Sequence, residues 1–145
     1  MSLLSALSVS ASGMSAQRTR AELLVENIAN SETTRTADGG PYRRKDAIFA
    51  SQDVGSPFAS ELDSEMNGSL TGVTVTGIAV DSREPQRIYM PGHPDADPEG
   101  YVSMPRMNPA EDMVDLMGAS RSYQANVSAI SAVKDMIQRS IDLLR

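Results

Sequence analysis

The chain has 145 residues, a net charge of −6, no cysteine, and few aromatics: two Phe, four Tyr and no Trp. That length sets an expectation of one domain, and the lack of cysteine excludes disulfides and cysteine-based metal centres. A nucleic-acid footprint needs Lys and Arg gathered on one face. The basic run Arg43-Arg44-Lys45 is too short for that and reads as solvated surface.

The first twenty residues, MSLLSALSVSASGMSAQRTR, put no charge ahead of their apolar stretch and interrupt it with serine. A cleaved secretory signal has the opposite layout, and no window is apolar enough for a membrane span. Every third and fourth residue from Leu4 gives Leu4, Leu7, Ala11, Met14, Arg18, Ala21, Val25 and Ile28, seven of eight apolar. This spacing predicts a helix with a heptad seam. Gly13 lowers its intrinsic stability by about 1 kcal/mol relative to Ala. The helix runs into ENIANSETTRT, where two asparagines three apart precede a cluster of hydroxyl residues.

The middle reads as a small β insertion. Residues 42–50, YRRKDAIFA, have a strand-like end, and 73–80, VTVTGIAV, alternate as a half-buried strand does, with Gly77 marking a bulge. Residues 51–72 read as irregular. Residues 87–90 and 101–104 predict a hairpin closed by the stiff turn PGHPDADPEG. Residues 48–107 carry three basic and nine acidic side chains, essentially the whole charge excess.

The second long helix starts at NPAED, with Asn108 as N-cap, Pro109 at the first position and Glu111 at the third. Its seam is Met113, Leu116, Ser120, Tyr123, Val127, Ile130, Lys134, Ile137, Ile141 and Leu144, eight of ten apolar. At 1.5 Å per residue the two helices would be roughly 40 and 55 Å long. The fold class is therefore α+β. Terminal helices at 1–33 and 108–145 pair as one discontinuous, coiled-coil-like unit around an inserted β module at 34–107. The pairing is an antiparallel hairpin, and the same seams also offer surface to other subunits.

No motif for chemistry emerges. The single histidine, His93, sits in a proline-bounded turn with no nucleophile elbow in the chain. Asp95, Asp97, Glu99 and Gly100 imitate the first half of a calcium loop. Counted from Asp95, however, the twelfth position is Arg106, and Pro98 intrudes. No catalytic, metal-binding or cofactor-binding residue is expected, and the chain is not expected to be an enzyme.

The motifs resemble the axial proteins of the bacterial flagellum. ENIANSETTRT is similar to the N-N-x-A-N-x-x-T signature of rod and hook proteins. GGPYRRK, GVTVTGIAVD, YMPGHPDADPEGYV and NPAEDMVDLMGASRSYQANV are similar to the FlgC family of proximal rod proteins, nearly end to end. The main departure is Glu26, where the family more often has Asn. The resemblance implies terminal helices forming a tube core with the middle as an outer domain. It implies a structural subunit of the periplasmic rod, which transmits torque from motor to hook and leaves the cell by flagellar type III export without signal cleavage. It implies as partners the other proximal and distal rod subunits, the export-gate adaptor and copies of itself, with no nucleic acid and no membrane span.

On that reading Asn27 and Asn30 cap the first helix and together bond a neighbour's backbone, helped by the tolerance of Asn for left-handed backbone. Thr33 continues the turn. The polar seam residues Arg18 and Lys134 select register and partner, or their stems snorkel to solvent. Two other readings stand beside this one. A soluble helical adaptor of an export or envelope assembly would have protected termini, and a peptidoglycan-cleaving enzyme would need a cleft with a raised-pKa Glu.

Overall fold

The structure is a computed structural model, and it describes residues 3–53 and 71–143. Leu144 and the side chain of Leu4 lie outside the described set. Helix α1 spans Leu3–Ala29 and helix α2 spans Pro109–Asp142. Between them, β1 (Lys45–Asp53) pairs antiparallel with β2 (Thr71–Val80), and β3 (Gln86–Tyr89) pairs antiparallel with β4 (Tyr101–Met104). Among the described residues the insertion forms two separate two-stranded ribbons. The β1–β2 ladder takes in residues 51–53 and 71–72, the ends of the segment expected to be irregular.

An isolated two-stranded ribbon is marginal in water, so the longer one leans on α1. Ser12 ties the two together. Its hydroxyl donates to the Val9 carbonyl at 2.7 Å and accepts from the Val73 N–H at 3.1 Å. The register shifts between Ile48 and Phe49, leaving Thr76 as the extra residue beside Gly77. The Thr76 hydroxyl donates back to the Ile48 carbonyl at 3.3 Å, so the expected bulge forms one residue before the glycine.

Helices α1 and α2 run antiparallel. Gly13 lies against Asn126, and a Cβ on Gly13 would come within 3.0 Å of the Asn126 amide nitrogen. Further along, Arg20 meets Asp115 at 3.6 Å. Small residues let the backbones approach here, and this closeness rotates both seams away from the predicted series. On α2, Asp112, Ala119 and Val133 are buried, and Asn126, in the same seven-residue series, is half-buried against Gly13 of α1. The predicted Leu116, Ile130 and Ile137 are half-buried beside them. Met113, Ser120, Tyr123, Val127, Lys134 and Ile141 are exposed. On α1 the same division appears. Leu7, Met14, Ala21 and Ile28 are half-buried, whereas Ala11, Arg18 and Val25 are exposed, and the buried positions are Ala16, Leu23, Leu24 and Asn27. Each predicted stripe therefore has one edge against its own chain and one edge turned outward.

Candidate assembly site

At the end of α1 the chain must turn and enter β1 at a fixed angle. Asn27 sets that angle. Its side chain is fully buried, at 0% exposure. Its amide nitrogen donates to the Lys45 carbonyl at 2.8 Å, and its oxygen accepts from the Lys45 N–H at 2.9 Å. The side-chain amide thus pairs with both backbone groups of one residue, as a neighbouring strand would. The same oxygen accepts from the Tyr42 hydroxyl at 3.0 Å. Burying an amide is costly unless its groups are bonded, and here they are. These partners, Lys45 and Tyr42, lie within the chain, where a bond to a neighbour's backbone was expected.

Asn30 turns the other way. Its side-chain amide donates to the Glu26 carbonyl at 2.9 Å, which also accepts the Asn30 backbone N–H at 3.1 Å, so side chain and backbone together close the last helical turn. Its oxygen accepts from the Thr33 hydroxyl at 3.2 Å, and the Thr33 carbonyl accepts from the Tyr42 N–H at 3.0 Å. Among the described residues no non-glycine takes a positive φ. The helix therefore ends through the Asn30 side chain and not through left-handed backbone. Glu26, the departure from the family pattern, holds the Lys45 ammonium.

The basic run is not idle surface. Arg44 donates from Nε at 3.1 Å and from Nη2 at 2.8 Å to one oxygen of Asp112, and from Nη1 to Asp46 at 2.9 Å. Asp112 is 1% exposed and lies in the first turn of α2. Its carboxylate also sits at the positive end of that helix. One ion pair thus ties the entry of β1 to the start of α2, 68 residues later. The sequence reading missed Tyr42, Arg44 and Asp112. A signal for Asp112 did exist, because it begins the seven-residue series through Ala119, Asn126 and Val133.

Electrostatics of the junction follow from this packing. Burial first, then the Glu26 carboxylate, pushes the Tyr42 phenol up to about 12. The start of α2 forms as expected: Asn108 accepts from the Ala110 N–H at 3.1 Å, and its amide donates to Glu111 at 3.1 Å.

The outward edges contrast with this buried polar junction, in which only the second Asp112 oxygen, among the junction's described side-chain atoms, is buried without a partner. Met113, Val114 and Met117 are 54%, 62% and 54% exposed and form an apolar patch on the first turns of α2. Val127 and Ile141 extend exposed apolar surface further along the helix. A separate groove between the helices is lined by Gln17, Ala21, Leu116, Ala119 and Tyr123, with Arg18 at its edge. Arg18 bonds Glu22 at 2.9 Å on the surface of its own helix, and Lys134 is exposed. In the hairpin turn, His93 Nδ1 accepts the Asp95 N–H at 3.1 Å. Asp95 also accepts from the Thr34 hydroxyl at 2.7 Å, which ties the turn to the segment that follows α1.

The family described as "Flagellar basal body rod FlgEFG protein C-terminal" matches residues 99–143, which include β4 and α2. Over its whole length the chain is similar to flagellar basal-body rod proteins FlgC. It is 40% identical to that of Bacillus subtilis over 150 aligned residues, covering 99% of both chains. It is 40% identical to that of Borreliella burgdorferi, covering 100% of this chain and 99% of the other, and 34% identical to that of Salmonella typhimurium, covering 99% and 98%. The motif resemblance, the paired terminal helices and these full-length matches agree, and the chain belongs to the FlgC family of flagellar basal-body rod proteins.

Proposed function

We propose that the chain is a structural subunit of the proximal rod and works by packing, without catalytic chemistry. The observation that carries this reading is the division of each helical stripe. One edge closes on the chain itself, and the other leaves Met113, Val127 and Ile141 exposed, with Val114 and Met117, outside the stripe, adding to the apolar surface of the same 34-residue helix. Exposed apolar surface of this kind marks sites of association. The other outward positions, Ala11, Arg18, Val25 and Tyr123, supply the flanks of the same contacts.

The partners in this reading are neighbouring proximal and distal rod subunits, the export-gate adaptor and further copies of the chain. The subunit reaches the periplasm by flagellar type III export without signal cleavage. The Asn27–Tyr42–Arg44–Asp112 junction keeps the outer ribbons at a fixed angle to the tube helices, so that torque passes through a stiff body. Deleting the gene and isolating basal bodies tests this reading. The expected result is loss of motility and of the rod, with both restored by the intact gene and the chain recovered in the restored basal bodies. Complete rods that form without the chain would overturn it.

A further inference from the structure

The base of the β3–β4 hairpin carries a cleft crowded with arginines. Arg43, Arg44, Arg83 and Arg106 line it together with Tyr42, Asp81 and Pro85. Arg44 is taken up by Asp46 and Asp112, and Arg83 by Asp81 at 2.6 Å. Arg43 donates only to the Asp81 carbonyl, at 3.2 Å. Among the described residues neither Arg43 nor Arg106 makes a contact ion pair, though the charge of Arg106 acts on Asp81, and both are exposed. Among the described residues lining the cleft, Asp81 is the one carboxylate beside Arg43, Arg83 and Arg106, in a chain whose net charge is −6. Arginine forks are suited to carboxylates, which they bind in bidentate fashion.

The opposite end of the same hairpin is acidic. Gln86 pairs with Met104 at the base and Tyr89 with Tyr101 at the tip, so the ladder separates the two ends by about 10 Å along the strands. The turn beyond Tyr89 holds Asp95, Asp97 and Glu99 against Arg35 and Arg87. Asp97 and Glu99 are exposed. The turn is also stiff. The Asp97 N–H donates to the Tyr101 carbonyl at 2.8 Å and the Gly100 N–H to the Asp97 carbonyl at 2.7 Å. At Gly100, φ is +83° and a Cβ would lie 2.8 Å from the Tyr89 ring. A stiff acidic tip and an arginine-lined base on one element have opposite signs and different surfaces. They are complementary between two copies, whether reciprocally about a two-fold axis or head to tail, and the head-to-tail arrangement is the one that generates open helical assemblies.

We propose that the acidic tip at Asp97 and Glu99 of one copy docks into the Arg43–Arg83–Arg106 cleft of the next copy, adding a contact between outer modules to the packing of the helices. This rests on the rod-subunit reading for its setting but not for its test. Two full-length variants are needed: a cleft reversal, R43E/R106E, and a tip reversal, D97R/E99R. Each is checked for folding by its thermal melt, with R106Q and E99Q as milder replacements should a reversal fail to fold. Association of the purified chains is read by light scattering at low ionic strength.

The unaltered chain should associate, each reversal alone at least tenfold more weakly, and an equimolar mixture of the two reversals should recover association, because both contacts are then complementary again. If R106Q and E99Q stand in, each should associate more weakly than the unaltered chain, and unchanged association would count against the contact. A strictly monomeric unaltered chain, reversals without effect, or a mixture that stays dissociated would each overturn the proposal. Tighter binding of the unaltered chain to a polyphosphate than to its own copies would also overturn it. Recovery of the unaltered chain in isolated basal bodies judges the rod reading separately.

Discussion

The junction at the end of α1 and the outward face of α2 are built from opposite materials. The junction is polar and buried: Asn27 and Asp112 are almost wholly enclosed and bonded to Lys45, Tyr42 and Arg44. The outward face is apolar and open, with Met113, Val114 and Met117 each more than half exposed. A soluble protein standing alone would place these the other way round. The inversion shows how the chain divides its work. Directional hydrogen bonds hold its own geometry, because an angle has to be specified. In the proposed rod packing, non-directional apolar contact is left for association, because long surfaces must slide into place before they lock.

The sharpest way to break this contrast is to remove the junction's central amide. Asn27→Ala would leave the Lys45 N–H and carbonyl and the Tyr42 hydroxyl unpaired in a buried site. Each unsatisfied group costs about 1–3 kcal/mol, so the loss should be about 3 kcal/mol or more in urea unfolding. A change under about 1 kcal/mol would mean that water replaces the amide freely and that the junction is not the rigid element described here. Asn30→Ala removes two part-buried side-chain bonds, to the Glu26 carbonyl and from the Thr33 hydroxyl, and should cost about 1–2 kcal/mol.

How much of this was legible in the sequence follows from the range of each interaction. Local signals read well. The Asn108 cap and the β4 bounds at 101–104 match the structure, as do both helices to within a few residues, because caps and periodicity act over one or two turns. The rotation of the seams was not legible. A stripe at three-four spacing has two edges, and which one turns inward depends on contacts between distant residues, such as Gly13 with Asn126 and Arg20 with Asp115. The Arg44–Asp112 pair was equally hidden, since two charges 68 residues apart leave no periodic trace. Asn27 showed itself only as a polar residue in an apolar run, and its partner at Lys45 depends on where β1 begins.

A smaller effect comes from pH. Tyr42 has its phenol raised to about 12 in the fold, against an ordinary value near ~10. The folded state therefore holds this proton more tightly than the unfolded chain. Its contribution is complete below about pH 10 and is lost as the pH climbs through 12. Urea midpoints for the intact chain should fall more steeply over that interval than those of Tyr42→Phe, which starts lower for want of its bond to Asn27. Parallel curves would show that the phenol is not titrating against the fold.

The smallest effect on stability should come from the largest apolar change. Replacing Met113, Val114 and Met117 together by Ser removes exposed surface that touches little within the chain, so unfolding should shift by no more than about 0.5 kcal/mol. Assembly should respond very differently. Burying apolar surface yields about 25 cal/mol per Å², and three large side chains covered by a neighbour would contribute several kcal/mol to each contact. The variant should therefore fold normally and fail to enter the rod, with motility lost while its melting curve is kept. A variant that is markedly less stable would place these residues in the chain's own core. One that is stable and fully motile would show that this face of α2 meets solvent in the assembled rod, and the division between a self-sufficient junction and a partner-seeking face would have to be drawn along the inter-helix groove at Gln17 and Tyr123 instead.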